Sequence, residues 1–159
     1  MLKGVSKVES GYAGGAMEDT SYERVSSGST GHAEVIRVTY DPGVITYEDL
    51  LTVFFGSHDP TTLNRQGNDV GEQYRSVIFY STPEEKTAAE KLSTEVQASL
   101  TDGSRVVTQI EQLVKFYPAE GYHQNYFKEN TSAPYCQLII EPKIEKVRKR
   151  FAELVNPSA

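Results

Sequence analysis

A carboxylate stands at the mouth of an otherwise apolar segment. Residues 33–40 read Ala-Glu-Val-Ile-Arg-Val-Thr-Tyr, the pattern of a strand closed by Asp41-Pro42-Gly43. Period-two alternation puts Glu34 on one face with Ile36, Val38 and Tyr40, and Ala33, Val35, Arg37 and Thr39 on the other. Glu34 thus falls on the more apolar face, beside a stretch rich in Gly and Ser. Withdrawing a carboxylate from water disfavours its charged form and raises its pKa. A glutamic acid still protonated near neutral pH is a ready general acid. Pairing with an arginine, or exposure at the strand end, is the competing reading of the same pattern.

Other groups offer chemistry around it. Of the ten tyrosines, Tyr22 and Tyr74 fall in the two long polar stretches, 16–31 and 57–75. Phenolic hydroxyls converging near an acid would form a donor cage for a polarised oxygen. Amphipathic packing is the ordinary alternative. Cys136 is the sole cysteine. It is either an inert buried thiol or an exposed one after Asn130-Thr131-Ser132-Ala133-Pro134. His123, 13 residues upstream, makes a Cys/His pair conceivable, though the spacing does not require it. His32, His58 and His123 show no metal-ligand spacing, so no metal site is expected. Gly67-Asn68-Asp69-Val70-Gly71 lacks the lysine of a phosphate loop.

The elements that must position these groups are legible in outline. Residues 5–12 read as a strand ended by Gly14-Gly15. Thr46 caps a helix over roughly 47–56, with Tyr47, Leu50, Leu51, Phe54 and Phe55 as its apolar stripe. Residues 76–81 form a short apolar strand, and Thr82-Pro83-Glu84-Glu85 is a capping box that opens a helix carrying Ala88, Ala89, Leu92, Val96 and Leu100. Residues 106–113 read as a further strand, 119–130 as an aromatic-rich helix or loop, and 142–155 as an amphipathic helix bearing Ile144, Val147, Phe151 and Leu154. The class expected is α+β, a two-layer mixed sheet with packed helices in a single domain over 1–159.

Composition narrows the function. The 159 residues carry 16 Lys+Arg against 22 Asp+Glu, a formal net charge of −6, with 38% hydrophobic residues. That is ordinary globular composition, long enough to bury a core without disulfides. The acidic balance disfavours nucleic-acid binding. No apolar run approaches the roughly 20 residues of a membrane span, and Met-Leu-Lys-Gly-Val-Ser is no secretory leader. A soluble cytoplasmic protein, with neither nucleic acid nor membrane as partner, is the expectation.

Several blocks together resemble a known family. Gly11-Tyr12-Ala13-Gly14-Gly15, Ser21-Tyr22-Glu23, Gly31-His32-Ala33-Glu34, Arg65-Gln66-Gly67-Asn68-Asp69-Val70-Gly71-Glu72-Gln73-Tyr74-Arg75-Ser76, Tyr122-His123-Gln124 and Pro134-Tyr135-Cys136-Gln137 occur in the order of the A-type peptide methionine sulfoxide reductases. The resemblance implies a two-layer α+β domain, ferredoxin-like, that reduces the S epimer of methionine sulfoxide, free or in proteins, and so repairs an oxidative lesion. It implies Glu34 as the acid that protonates the sulfoxide oxygen, with Tyr22 and Tyr74 as the hydroxyls that hold it. Asp69 would organise the site, and His123 and Tyr122 would contact substrate. Cys136 would be the resolving thiol, and thioredoxin the reductant. No cofactor is implied.

One feature departs from the pattern. The family's attacking cysteine lies in a Gly-Cys-Phe-Trp-Gly motif that these residues do not contain, and the chain has no Trp. The expectation is an N-terminally incomplete reductase domain with little or no turnover alone. Two rivals remain. One is a degenerate domain that binds oxidised methionine or a partner protein without reducing it. The other makes Cys136 the nucleophile with His123 as base. An incomplete sheet edge would also favour dimerisation.

Overall fold

The computed structural model describes residues 2–16, 22–121, 124, 129–134, 137 and 141–156, with Tyr22 and Ser26 described by their backbone only. Strand β1 (Val5–Ala13) and strand β2 (Ala33–Tyr40) flank a short helix α1 (Tyr22–Ser26). Helix α2 (Tyr47–Ser57), the two-residue strands β3 (Arg65–Gln66) and β4 (Asp69–Val70), and a 3-10 turn (Glu72–Tyr74) follow. Strand β5 (Val77–Tyr80), helix α3 (Pro83–Ser99), strands β6 (Gln109–Gln112) and β7 (Phe116–Pro118), and helix α4 (Glu141–Arg150) complete the order.

Local chemistry explains where α2 and α3 begin. Thr46 and Asp49 form a reciprocal capping box, Asp49 N–H to Thr46 Oγ1 at 3.0 Å and Thr46 N–H to Asp49 Oδ2 at 3.1 Å. At α3 only half of the expected box forms. Thr82 Oγ1 accepts from Glu85 N–H, but the Glu85 carboxylate takes the Ser81 N–H at 2.6 Å instead of that of Thr82.

The class is α+β, as the sequence indicates. Its strands divide among three small sheets: antiparallel β2-β1-β7, the β3-β4 hairpin, and the parallel pair β5-β6 joined across α3. These do not display the ferredoxin-like order of the expectation. Helices α2 and α3 cover β5-β6 around Leu51, Phe55, Ile78 and Ala89, the main buried cluster. Tyr12, Ala13, Val25, His32, Ala33 and Ile45 are buried as well. The Phe151 ring lies against Gly56 and so seats the end of α4 on α2. Leu2 bridges Val155, which brings residue 2 beside the end of α4.

Two expectations need correction and one element was missed. The last helix ends at Arg150 and gives way to turns, instead of running to 155. Strand β7, which the alternation did not reveal, occupies Phe116–Pro118. The face that carries Glu34 is not a covered apolar layer, because Ile36 is 64% exposed and Val8, on the same face through its partner Val38, is 43% exposed. Most of the aromatic-rich stretch 119–130 lies outside the described residues.

Candidate functional site

The site grows from the start of β2. Register places Glu34 opposite Tyr12, and Tyr12 opposite Tyr117 of β7, so the three side chains share one face at one end of the sheet. Tyr12 is buried, and its hydroxyl donates to Glu120 Oε2 at 3.2 Å. His32 is also buried: its Nδ1 accepts the Gly15 N–H at 3.0 Å, and its ring meets Tyr117 edge-on at 5.3 Å. Tyr12, His32, Tyr117 and Glu120 were not selected from the sequence. Tyr12 and His32 do stand inside the motif blocks, whereas Tyr117 and Glu120 come to the site only through the strand register and the hydrogen bond beyond β7.

The second half of the site comes from the polar stretch 57–75, which is built rather than loose. Asp59 Oδ1 accepts from the N–H and hydroxyl of Thr61 at 2.9 and 2.6 Å, and these donors hold the Asp59 carboxyl below its usual pKa. The Gln66 amide grips the Asp59 backbone both ways, accepting its N–H at 3.2 Å and donating to its carbonyl at 2.7 Å. The β3-β4 hairpin then delivers Asp69, and the 3-10 turn that carries Tyr74 packs on β2.

Glu34, Asp69 and the Tyr74 turn are thereby assembled at the head of one strand. The Glu34 carboxyl is raised above its usual pKa, first by desolvation and then by repulsion from Asp69. Although the Glu34 residue retains an exposed surface, no lysine or arginine pairs with its carboxylate among the described residues. The arginine-paired alternative therefore fails, and the strand-end position holds. A desolvated carboxyl with a like charge nearby keeps its proton to higher pH, which suits a proton donor. Tyr22 belongs to α1, but its side chain lies outside the described residues, as do Tyr122, His123 and Cys136.

His58 anchors this segment from behind. Its Nδ1 lies 2.6 Å from the Phe54 carbonyl and its Nε2 lies 2.7 Å from Ser76 Oγ. A carbonyl only accepts, so Nδ1 bears the proton, and Nε2 accepts from the Ser76 hydroxyl. Ser76 Oγ then accepts from Thr108 at 2.8 Å. Burial lowers the His58 pKa. In the pH interval between that lowered value and the free-histidine value near 6.5, the unfolded chain binds more protons. The stability His58 contributes is therefore complete above that interval and is lost as pH falls through it. Denaturant melts from about pH 8 down to about pH 5 should show that loss, and His58→Gln should flatten it. At the upper pH, His58→Ala should cost about 1–3 kcal/mol, because it removes the buried ring that joins the Phe54 carbonyl to the Ser76 hydroxyl and leaves each with one hydrogen bond fewer.

Among the described residues no cluster of His, Cys, Asp and Glu is arranged to hold a metal ion. Among them, too, no helix is long and apolar enough to cross a membrane.

Comparison with known proteins gives a consistent picture. The family described as peptide methionine sulfoxide reductase matches residues 1–155. The peptide methionine sulfoxide reductase MsrA of Chromobacterium violaceum is 48% identical over 155 residues, covering 98% of this chain and 88% of that one. The MsrA of Natronomonas pharaonis is 52% identical over 155 residues, covering 98% and 87%. Among solved structures, reduced Mxr1 from Saccharomyces cerevisiae superposes with a TM-score of 0.77 at 39% identity, covering 84% of this chain and 76% of its own. Methionine sulfoxide reductase A of Corynebacterium diphtheriae gives 0.72 at 32% identity, covering 82% and 66%.

Proposed function

The chain belongs to the peptide methionine sulfoxide reductases, an enzyme family that reduces methionine sulfoxide, and from that premise we propose that it is a single domain whose Glu34 site takes the S epimer. The observation that carries this reading is the meeting of Glu34, Asp69 and the Tyr74 turn at one strand head, where partial desolvation and Asp69 raise the Glu34 pKa. In the reaction the family implies, a cysteine thiolate attacks the sulfoxide sulfur. Glu34 gives its proton to the oxygen, and Tyr22 and Tyr74 donate to that oxygen as its negative charge grows. The attacking sulfur is oxidised to a sulfenic acid, and the substrate sulfur leaves as methionine. A second thiol then forms a disulfide with release of water, and thioredoxin reduces that disulfide. Tyr122 and His123 are proposed to contact substrate. Cys136 is proposed as the resolving thiol, and the cytoplasm as the compartment.

One observation shapes the expected activity. The 159 residues hold a single cysteine, Cys136, and no Gly-Cys-Phe-Trp-Gly motif. This polypeptide alone is therefore proposed to have little or no turnover. The same fact favours a second reading, a domain that binds oxidised methionine or a partner without reducing it.

A paired assay separates the readings. The S and R epimers of an acetylated methionine sulfoxide are titrated into the chain while the Glu34 carboxyl is followed by carbon NMR. In parallel, methionine formation is measured with dithiothreitol. The proposal expects the S epimer alone to shift Glu34, without turnover. Loss of that epimer preference overturns the site. Turnover abolished by Cys136→Ser makes Cys136 the attacking thiol. Affinity that yields no reaction even after the family's N-terminal motif is fused establishes the binding module.

A further inference from the structure

Arg75 follows Tyr74 directly, and its guanidinium reaches its own turn and two other segments. Nη2 donates to the Gly31 carbonyl at 3.1 Å, Nη1 to the Glu72 carbonyl at 3.2 Å, and Nε to Gln109 Oε1 at 3.0 Å. Gly31 precedes Glu34 by three residues, and Glu72 opens the turn that ends at Tyr74. The fork therefore joins the head of β2 to the turn, and ties both to β6. The surroundings are shaped to admit it. Gly31 has φ +69°, a left-handed conformation that aims its carbonyl at the fork with little strain only in glycine. At Gly14, with φ +85°, an added Cβ would stand 3.0 Å from Arg75 Nη2 and 2.5 Å from Phe79 Cζ.

We propose that Arg75 is a positioning residue of the Glu34 site. Its guanidinium holds the segment that bears Asp69 and Tyr74 against the start of β2, and so fixes how closely they approach the Glu34 carboxyl. The catalytic consequence rests on the reductase reading above; the positioning itself does not. A planar fork spans three acceptors in fixed directions, whereas an ammonium offers a point charge on a flexible stem. Arg75→Lys thus keeps the cation and loses the geometry. Arg75→Gln loses both.

The two roles move Glu34 in opposite directions. The titratable and charged groups around the strand head are Tyr12 of β1, His32 just before β2, Asp69 of the hairpin, Glu72 and Tyr74 of the turn, Arg75 itself, Tyr117 of β7 and Glu120 beyond it. If Arg75 positions the turn, its replacement releases Asp69 and admits water. The Glu34 midpoint, read by carbon NMR in the 159-residue chain, then falls toward the ordinary glutamate range in both variants. If Arg75 acts only as a nearby cation, Arg75→Gln raises the midpoint and Arg75→Lys leaves it in place. That result, or no change in either variant, overturns the proposal. The His58 ring resonances report whether each variant keeps the wild-type fold. Should both variants unfold, Gln109→Leu removes one acceptor of the fork on a remote strand, and a smaller fall in the same direction is expected. An unchanged midpoint there overturns the proposal. If the Arg75 shift is observed while Glu34 proves dispensable for sulfoxide reduction, the functional reading fails and the positioning role stands.

Discussion

Glu34→Gln lowers methionine-S-sulfoxide reduction by about 10²–10⁴-fold when the attacking thiol is supplied, for example by fusing the family's Gly-Cys-Phe-Trp-Gly segment ahead of Met1. Glutamine preserves size and hydrogen bonding but cannot deliver a proton to the departing oxygen, so the loss falls on kcat more than on KM. The pH profile carries the same signature. Desolvation and Asp69 raise the Glu34 pKa, so the acid form persists to higher pH and the rate falls as pH rises through the raised value. Asp69→Asn removes the repulsion and moves that limb to lower pH, while Glu34→Gln abolishes it. Steady-state rates over a pH series check all three. An unchanged rate in the Glu34→Gln protein removes Glu34 from the proton-donor role.

Gly11→Ala destabilises the fold by about 3 kcal/mol or more. Gly11 lies mid-sheet, between Val35 of β2 and Pro118 of β7. A Cβ built there meets the Phe116 ring and the Tyr117 carbonyl oxygen. The ring is itself held from outside, with the Arg37 guanidinium 4.3 Å from its centre and paired to Glu9 at 2.9 Å. A methyl group therefore has to displace backbone as well as a side chain, and β7 separates from β1. Because β7 carries Tyr117 beside Tyr12, the same change loosens the face on which Glu34 sits. Urea unfolding measures the cost, and a midpoint equal to wild type contradicts this account of Gly11.

Much of this architecture was readable in advance where a local rule governs it. The Thr46 cap, the Pro83 start of α3 and strand β2 follow from capping, backbone and alternation rules that operate within a few residues. Strand β7 was not readable, because three residues give no period and its existence depends on pairing with β1. The polar stretch 57–75 reads as a loop for a related reason. Its order arises from side chains gripping backbone, Gln66 on Asp59 and His58 between Phe54 and Ser76. Composition does not announce such bonds.

The candidate site divides along the same line. Residue types and motif order by themselves determined the family, singled out Glu34, Tyr74 and Asp69, and showed a single thiol at Cys136. These are properties of the chain that need no third dimension. Tertiary structure alone decided that Asp69, 35 residues beyond Glu34, acts on its carboxyl, that Tyr12 stands opposite Glu34, and that Arg75 closes three segments into one frame. It also decided that the strand face beyond Glu34 stays open at Ile36. The physical reason is range: caps, turns and alternation act between near neighbours, whereas desolvation and charge repulsion depend on distances that only the folded chain sets.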